Sequence, residues 1–262
     1  MLATKPASTL ACAAAAALAA HFAASPASAI VTFDADYLVT DPYPTGVVNG
    51  LCSGFLLNEK YVVSAAHCKL FGGDDQFIFG PDDMVYTSVR TVVHPDWDYD
   101  QLGTDGANDI MIFELDRPVA GTVSYDVFGG TLEAGNIVTL ASVGSNGGGN
   151  GFDLPPIEFG TPNAALATVE RVGSTHFDLY VGDDDTPQSV FIGGDSGGAA
   201  LVDVGGEMQL AGVISGIGIG DDGFVEPFMT IVDPAFVASV VPEPGSLSLL
   251  AAGALLATRR RR

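Results

Sequence analysis

Gly193-Gly194-Asp195-Ser196-Gly197-Gly198 sets one serine and one acid among four glycines. Glycine lets the backbone turn tightly and leaves N–H groups free to point at a ligand. A hydroxyl on such a turn is placed to attack a carbonyl, with donors nearby for the oxyanion that forms. Taken alone, the stretch could equally be a glycine-rich turn. A serine hydroxyl is also a weak nucleophile and needs a base to take its proton. Catalysis by this serine would therefore require a histidine elsewhere in the chain and an acid to orient it.

Two earlier segments supply them. The first is Cys52-Ser53-Gly54-Phe55-Leu56-Leu57 followed by Ser64-Ala65-Ala66-His67-Cys68, and the second is Asn108-Asp109-Ile110-Met111-Ile112. Histidine is the side chain whose unperturbed pKa lies nearest neutrality, so it suits proton transfer at that pH. A buried carboxylate on its other nitrogen holds the useful tautomer. Each segment alone has a plain reading: a structural His beside a Cys, a turn Asp opening an apolar strand. In the order His, Asp, Ser they carry a catalytic one.

The three segments resemble the signature motifs of chymotrypsin-like (S1) peptidases. Subtilisin runs Asp, His, Ser and α/β-hydrolases run Ser, Asp, His, so the order is itself informative. The resemblance spans residues 30–240. It implies an all-β fold: two six-stranded antiparallel β-barrels with Greek-key character, side by side, and a short C-terminal helix. The first barrel would carry His67 and Asp109, the second Ser196, with the cleft between them. It implies a serine endopeptidase acting on protein or peptide through an acyl-enzyme. Ser196 would be the nucleophile, His67 the base and then the acid, and Asp109 the residue that orients His67. The N–H groups of Gly194 and Ser196 would form the oxyanion hole, and a Cys52–Cys68 disulfide would fix the His-bearing loop. No metal or other cofactor is implied.

The same resemblance assigns the substrate strand to Gly212-Val213-Ile214-Ser215-Gly216, with Ser215 beside the triad. By spacing from Ser196, the base of the primary pocket falls near Val190, where no acid sits. Gly216 and Ile217 stand where a Trp and a Gly are common, and Ile217 would narrow the entrance. Cleavage after small or medium apolar residues is expected, not after Arg or Lys. His94-Pro95 matches an HP dipeptide of the family, so His94 reads as structural. His176 has no motif around it and reads as surface.

Both ends look like processing signals. Residues 1–29 carry one cation, Lys5, then the apolar run Leu10–Ala20, and close on Ala27-Ser28-Ala29. That is the pattern of a secretory signal peptide; the alternative, a membrane anchor, has too short an apolar run. Cys12 leaves with this leader, and one disulfide is the natural reading of the two cysteines that remain in an exported chain. Cleavage after Ala29 would expose Ile30-Val31. Family zymogens activate by freeing an Ile-Val amino terminus that pairs with the Asp before the serine, here Asp195. Export itself would then activate the enzyme, although Thr32-Phe33 replaces the usual Gly-Gly. At the other end, Val241-Pro242-Glu243-Pro244-Gly245, the apolar Leu247–Ala257 and Arg259–Arg262 resemble a PEP-CTERM sorting tail of Gram-negative bacteria. An exosortase-type sorting enzyme would be its partner. The alternative is a disordered, mildly hydrophobic tail. The expected division is 1–29 signal peptide, 30–124 first barrel, 125–240 second barrel and helix, and 241–262 tail.

Composition agrees with an exported all-β chain. Of 262 residues, 33 are Gly and 15 Pro, and only 16% are charged. Apolar runs are short and β-branched, as in Tyr61-Val62-Val63, Ser88–Val93, Ile110–Leu115, Asn136–Val143 and Gln209–Ile214. Helical signals appear only at Ala235–Val240, with Asp233 as cap and Pro234 at the first position. Between Ile30 and Val241 five basic residues face 31 acidic ones, a balance of −26. Such a surface repels nucleic acid and anionic membranes. Calcium is left open at Asp74/Asp75, Asp82/Asp83 or Asp183–Asp185, none with EF-hand spacing. Gly144–Gly151 lacks the Lys and Ser/Thr of a phosphate-binding loop. The expected setting is secreted or at the cell surface or matrix, as a monomer. Two rival readings stand beside the peptidase: a non-catalytic surface or matrix binding protein on the same scaffold, and an esterase using the same triad.

Overall fold

The computed structural model describes residues 30–32, 35–39, 43–71, 76–79, 84–98, 107–144, 162–182, 186–191, 194–219 and 225–242. The expected leader, the expected sorting tail beyond Pro242, the three Asp-rich calcium candidates and most of Gly144–Gly151 lie outside these residues.

Two antiparallel six-stranded barrels make up the molecule. The first holds β3 (Thr45–Val48), β4 (Cys52–Leu56), β5 (Tyr61–Ser64), β6 (Gln76–Phe79), β7 (Met84–Val93) and β8 (Met111–Leu115), closed in the order β3-β4-β5-β8-β7-β6. The second holds β9 (Ile137–Ser142), β10 (Asn163–Val172), β11 (His176–Leu179), β13 (Ala199–Val204), β14 (Glu207–Ile219) and β15 (Val225–Ile231). Its order is β11-β15-β14-β13-β9-β10, and pairing of β10 with β11 closes it. Closure removes exposed strand edges. β4 and β5 are buried at every position, so neither shows the alternation of a half-buried strand. Phe55, Phe77 and Phe113 fill the first core, the last two packing edge to face at 4.6 Å. Leu140, Phe177, Leu179 and Met229 fill the second.

The chain ends cross over. Residues 30–32 and 35–39 were expected in the first barrel but lie with the second. β1 (Val31–Thr32) pairs with β12 (Ser189–Val190), and β2 (Leu38–Val39) extends the second sheet beside β10. The reason is burial: Ile30 is 2% exposed, inside the second core with Phe191 and Leu132. The connector changes barrels between Tyr125, whose N–H donates to Leu57, and Phe128, whose N–H donates to Leu210.

The helix α1 (Pro234–Val240) crosses the other way and sets Phe236, Val237 and Val240 into the first core. Its Asp233 cap accepts from the Ala235 N–H at 2.8 Å, with proline at the first position. Asp233→Ala should lower stability by about 1 kcal/mol, read as a shift in the denaturant midpoint. His176 is half-buried in β11, opposite Thr230, and not a free surface residue. Its ring lies against Gly173, where a Cβ would sit 3.0 Å away.

Candidate active site

The histidine loop is built by a disulfide and a 3-10 turn. Residues Ala66–Phe71 form that turn directly after β5, so His67 leaves the barrel at its rim. Cys68 is bonded to Cys52 at the start of β4. The bridge closes a loop of 16 residues. By chain entropy it contributes about 3 kcal/mol. Cys52→Ser with Cys68→Ser should lower the unfolding free energy by that amount, and kcat should fall further as His67 loosens.

Asp109 sits opposite, between the left-handed Asn108 (φ 57°) and the start of β8. Its carboxylate is fully buried and accepts three hydrogen bonds. Oδ1 takes the His67 backbone N–H at 2.8 Å, and Oδ2 takes His67 Nδ1 at 2.6 Å. The Ser215 hydroxyl from β14 also donates to Oδ2. Burying a carboxylate is costly unless donors surround it, and three do so here. Because a carboxylate only accepts, His67 Nδ1 must carry its proton. Nε2 is then the basic nitrogen.

Ser196 comes from the second barrel, in the turn before β13. Its carbonyl accepts the Ser53 N–H at 2.8 Å, which pins the serine turn to β4. The Cys68 sulfur lies 3.7 Å from that carbonyl oxygen and 3.8 Å from His67 Nε2. Serine and histidine thus flank one sulfur at the barrel seam. Gly194 and Gly197 both take positive φ, 99° and 87°. The Gly194 carbonyl is tied back by Ser53 Oγ at 2.8 Å. Among the described residues, neither the Gly194 nor the Ser196 N–H donates to a backbone carbonyl. Two such N–H groups at a tight turn beside a serine are what an oxyanion requires.

Three supports were not visible in sequence. Ser142 Oγ donates to the buried Asp195 at 2.5 Å, from a strand 53 residues earlier. Ser64 Oγ donates to the Ser53 carbonyl at 2.8 Å. Phe228 covers Gly216, where a Cβ would come within 2.7 Å of its ring. None has a local signal: Ser142 arrives on a distant strand, and the other two depend on how consecutive strands pair. Ile30 and Asp195 are both buried, Ile30 in the second core. Val190 is half-buried in β12 against Val31, and Ile217 is exposed in β14 opposite Pro227.

A family model described as Trypsin matches residues 35–233. The chain belongs to the trypsin family. Relatives are distant. Human Trypsin-3 is 31% identical over 93 residues, 29% of this chain and 27% of that protein. Rat Serine protease 1 is 31% identical over 94 residues, 30% and 33% of the two chains. Salmon (Salmo salar) Trypsin-1 is 36% identical over 81 residues, 26% and 28%. The matched stretch thus spans a third or less of each curated relative. The solved structure of human heparin binding protein superposes with a TM-score of 0.60 at 21% identity, covering 78% of this chain and 93% of that one. At that identity the likeness shows the trypsin-family fold and no more.

Proposed function

We propose that this trypsin-family protein is an exported serine endopeptidase that cleaves peptide bonds through an acyl-enzyme on Ser196. The observation that carries the reading is the buried Asp109 carboxylate, which holds His67 by two bonds and Ser215 by a third, at the seam where Ser196 is anchored. His67 Nε2 takes the proton of the serine hydroxyl as oxygen attacks the carbonyl carbon. The oxyanion is received by the N–H groups of Gly194 and Ser196. His67 then protonates the leaving amine, and water repeats the sequence to free the acid. This chemistry requires no cofactor.

The substrate backbone lies along Ser215-Gly216-Ile217 of β14, and Val190 lines the primary pocket. Small or medium apolar side chains fit a pocket without an acid and with Ile217 at its mouth. A matched peptide panel should show kcat/KM for Ala, Val or Leu before the scissile bond about 100-fold above Arg or Lys. A clear Arg/Lys preference sinks the specificity reading. Casein turnover together with ester turnover supports the endopeptidase, ester turnover alone the esterase, and neither the binding-protein reading.

Export and activation are read together. Cleavage after Ala29 would free the Ile30 amine to pair with Asp195, both residues being buried, and the tail from Val241 would be handed to an exosortase-type enzyme at the surface of a Gram-negative cell. Edman sequencing of the secreted protein should begin at Ile30; a start elsewhere overturns activation by export.

A further inference from the structure

The front of Asp109 is held by His67 and Ser215. Its backbone must be held as well, because it sits at the centre of a three-residue turn. The Ile110 N–H donates to the Asn108 carbonyl at 2.7 Å, and Asn108 has φ 57°. A positive φ is uncommon for residues other than glycine, although asparagine tolerates it better than most, and neighbouring bonds help to hold it.

The surroundings here are the turn His94–Trp97. The His94 N–H donates to the Ile110 carbonyl at 3.0 Å, and Asn108 Nδ2 reaches the Asp96 carbonyl at 3.5 Å. One residue on each side of Asp109 is therefore bonded to this turn. The turn is closed by the Trp97 N–H on the His94 carbonyl, at 3.1 Å. It is closed a second time by the His94 side chain, whose Nδ1 accepts the Asp96 N–H at 3.2 Å. With Nδ1 accepting, the ring proton is on Nε2, which faces the Asp233 carboxylate of the α1 cap at 3.7 Å. The ring is 7% exposed and packs against Phe236 of α1, centroids 4.7 Å apart and planes tilted by 58°.

We propose that His94 is a positioning residue, coupling α1 to the turn that carries Asp109. Its ring holds Asp96, Asp96 holds Asn108, and Asn108 sets the carboxylate against His67. The helix that precedes the tail thereby becomes part of the catalytic assembly. A small displacement of an orienting group can cost one to two orders of magnitude in rate. This inference rests on the peptidase reading.

The test uses the full mature chain and four variants: His94→Ala, His94→Gln, Asn108→Ala, and the double variant His94→Ala/Asn108→Ala. Three readouts are taken: kcat and KM on a peptide anilide, the low-field proton resonance of the His67–Asp109 bond, and the melting temperature. His94→Ala should lower kcat about 10- to 100-fold with KM unchanged, and should broaden or shift that resonance. His94→Gln keeps an acceptor for the Asp96 N–H and should restore most of both. The double variant should be no slower than the worse single one, as for two links of one path. Wild-type kcat and resonance in His94→Ala, a glutamine no better than alanine, or additive losses would overturn the proposal. If His94→Ala fails to fold, His94→Gln and Asn108→Ala decide: the glutamine should keep the resonance and Asn108→Ala should lose it, and the opposite pattern refutes the path. A wild-type protein with neither turnover nor that resonance refutes the peptidase reading itself, whereas an active wild type with a silent His94→Ala refutes only the coupling.

Discussion

Asp109→Asn should lower kcat about 10,000-fold near neutral pH, with KM and fold nearly intact. All three partners of Asp109 are donors: the His67 N–H, His67 Nδ1 and the Ser215 hydroxyl. A carboxylate accepts all three, but an amide has one oxygen and one NH2 group. The NH2 must face a donor, and the imidazole is the partner that can adapt by moving its proton from Nδ1 to Nε2. The nitrogen that should take the serine proton then already carries one. The substitution hardly changes volume, so packing around the site should survive. Steady-state kinetics on a peptide anilide, with a melting curve to show the fold, checks this. A loss of less than tenfold would mean that Asp109 does not control the tautomer of His67.

Gly197→Ala should cost about 4 kcal/mol or more and leave little folded protein. Two effects coincide at this residue. Its φ of 87° is unfavourable for any side chain, and a Cβ there would lie 2.2 Å from the Ser53 carbonyl oxygen and 2.2 Å from Ser64 Oγ. Those atoms belong to β4 and β5, central strands that cannot retreat without opening the first barrel. Nor can the serine turn move away, because the Gly197 N–H is bonded to the Ile214 carbonyl at 2.8 Å. Gly205→Ala separates the two effects. Gly205 also has positive φ, 69°, but nothing lies within 4 Å of its Cβ position. That variant should lose only about 1–2 kcal/mol. Equal losses in denaturant unfolding would show that backbone conformation, not the clash at the seam, dominates.

What could be read from sequence divides along physical lines. His67, Asp109 and Ser196 stood out because a nucleophile, a base and an orienting acid would each demand a residue type in a recognisable local context, and His67 and Asp109 do meet in the structure. The cap of α1 was legible because Asp233 and Pro234 act within one turn. Strand positions such as Tyr61–Ser64 and Met111–Leu115 showed as β-branched or apolar runs, but their burial on both faces hid which side met which core. The crossing of the chain ends was not legible. Nothing near Leu38–Val39 announces that its partner is Ala164–Ala165. The same holds for Ser142 on Asp195 and for His94 under α1, both of them encounters between distant segments. His94 read as structural from its dipeptide alone; the bonds its ring makes give that role a route to the catalytic acid.

Labelling of the protein with a fluorophosphonate probe, alongside Ser196→Ala, tests most directly whether Ser196 is an activated nucleophile. Rapid covalent labelling at Ser196 is expected, and none in the alanine variant. Folded protein beginning at Ile30 that takes up no probe, or a Ser196→Ala variant that labels as well as the parent, would contradict it.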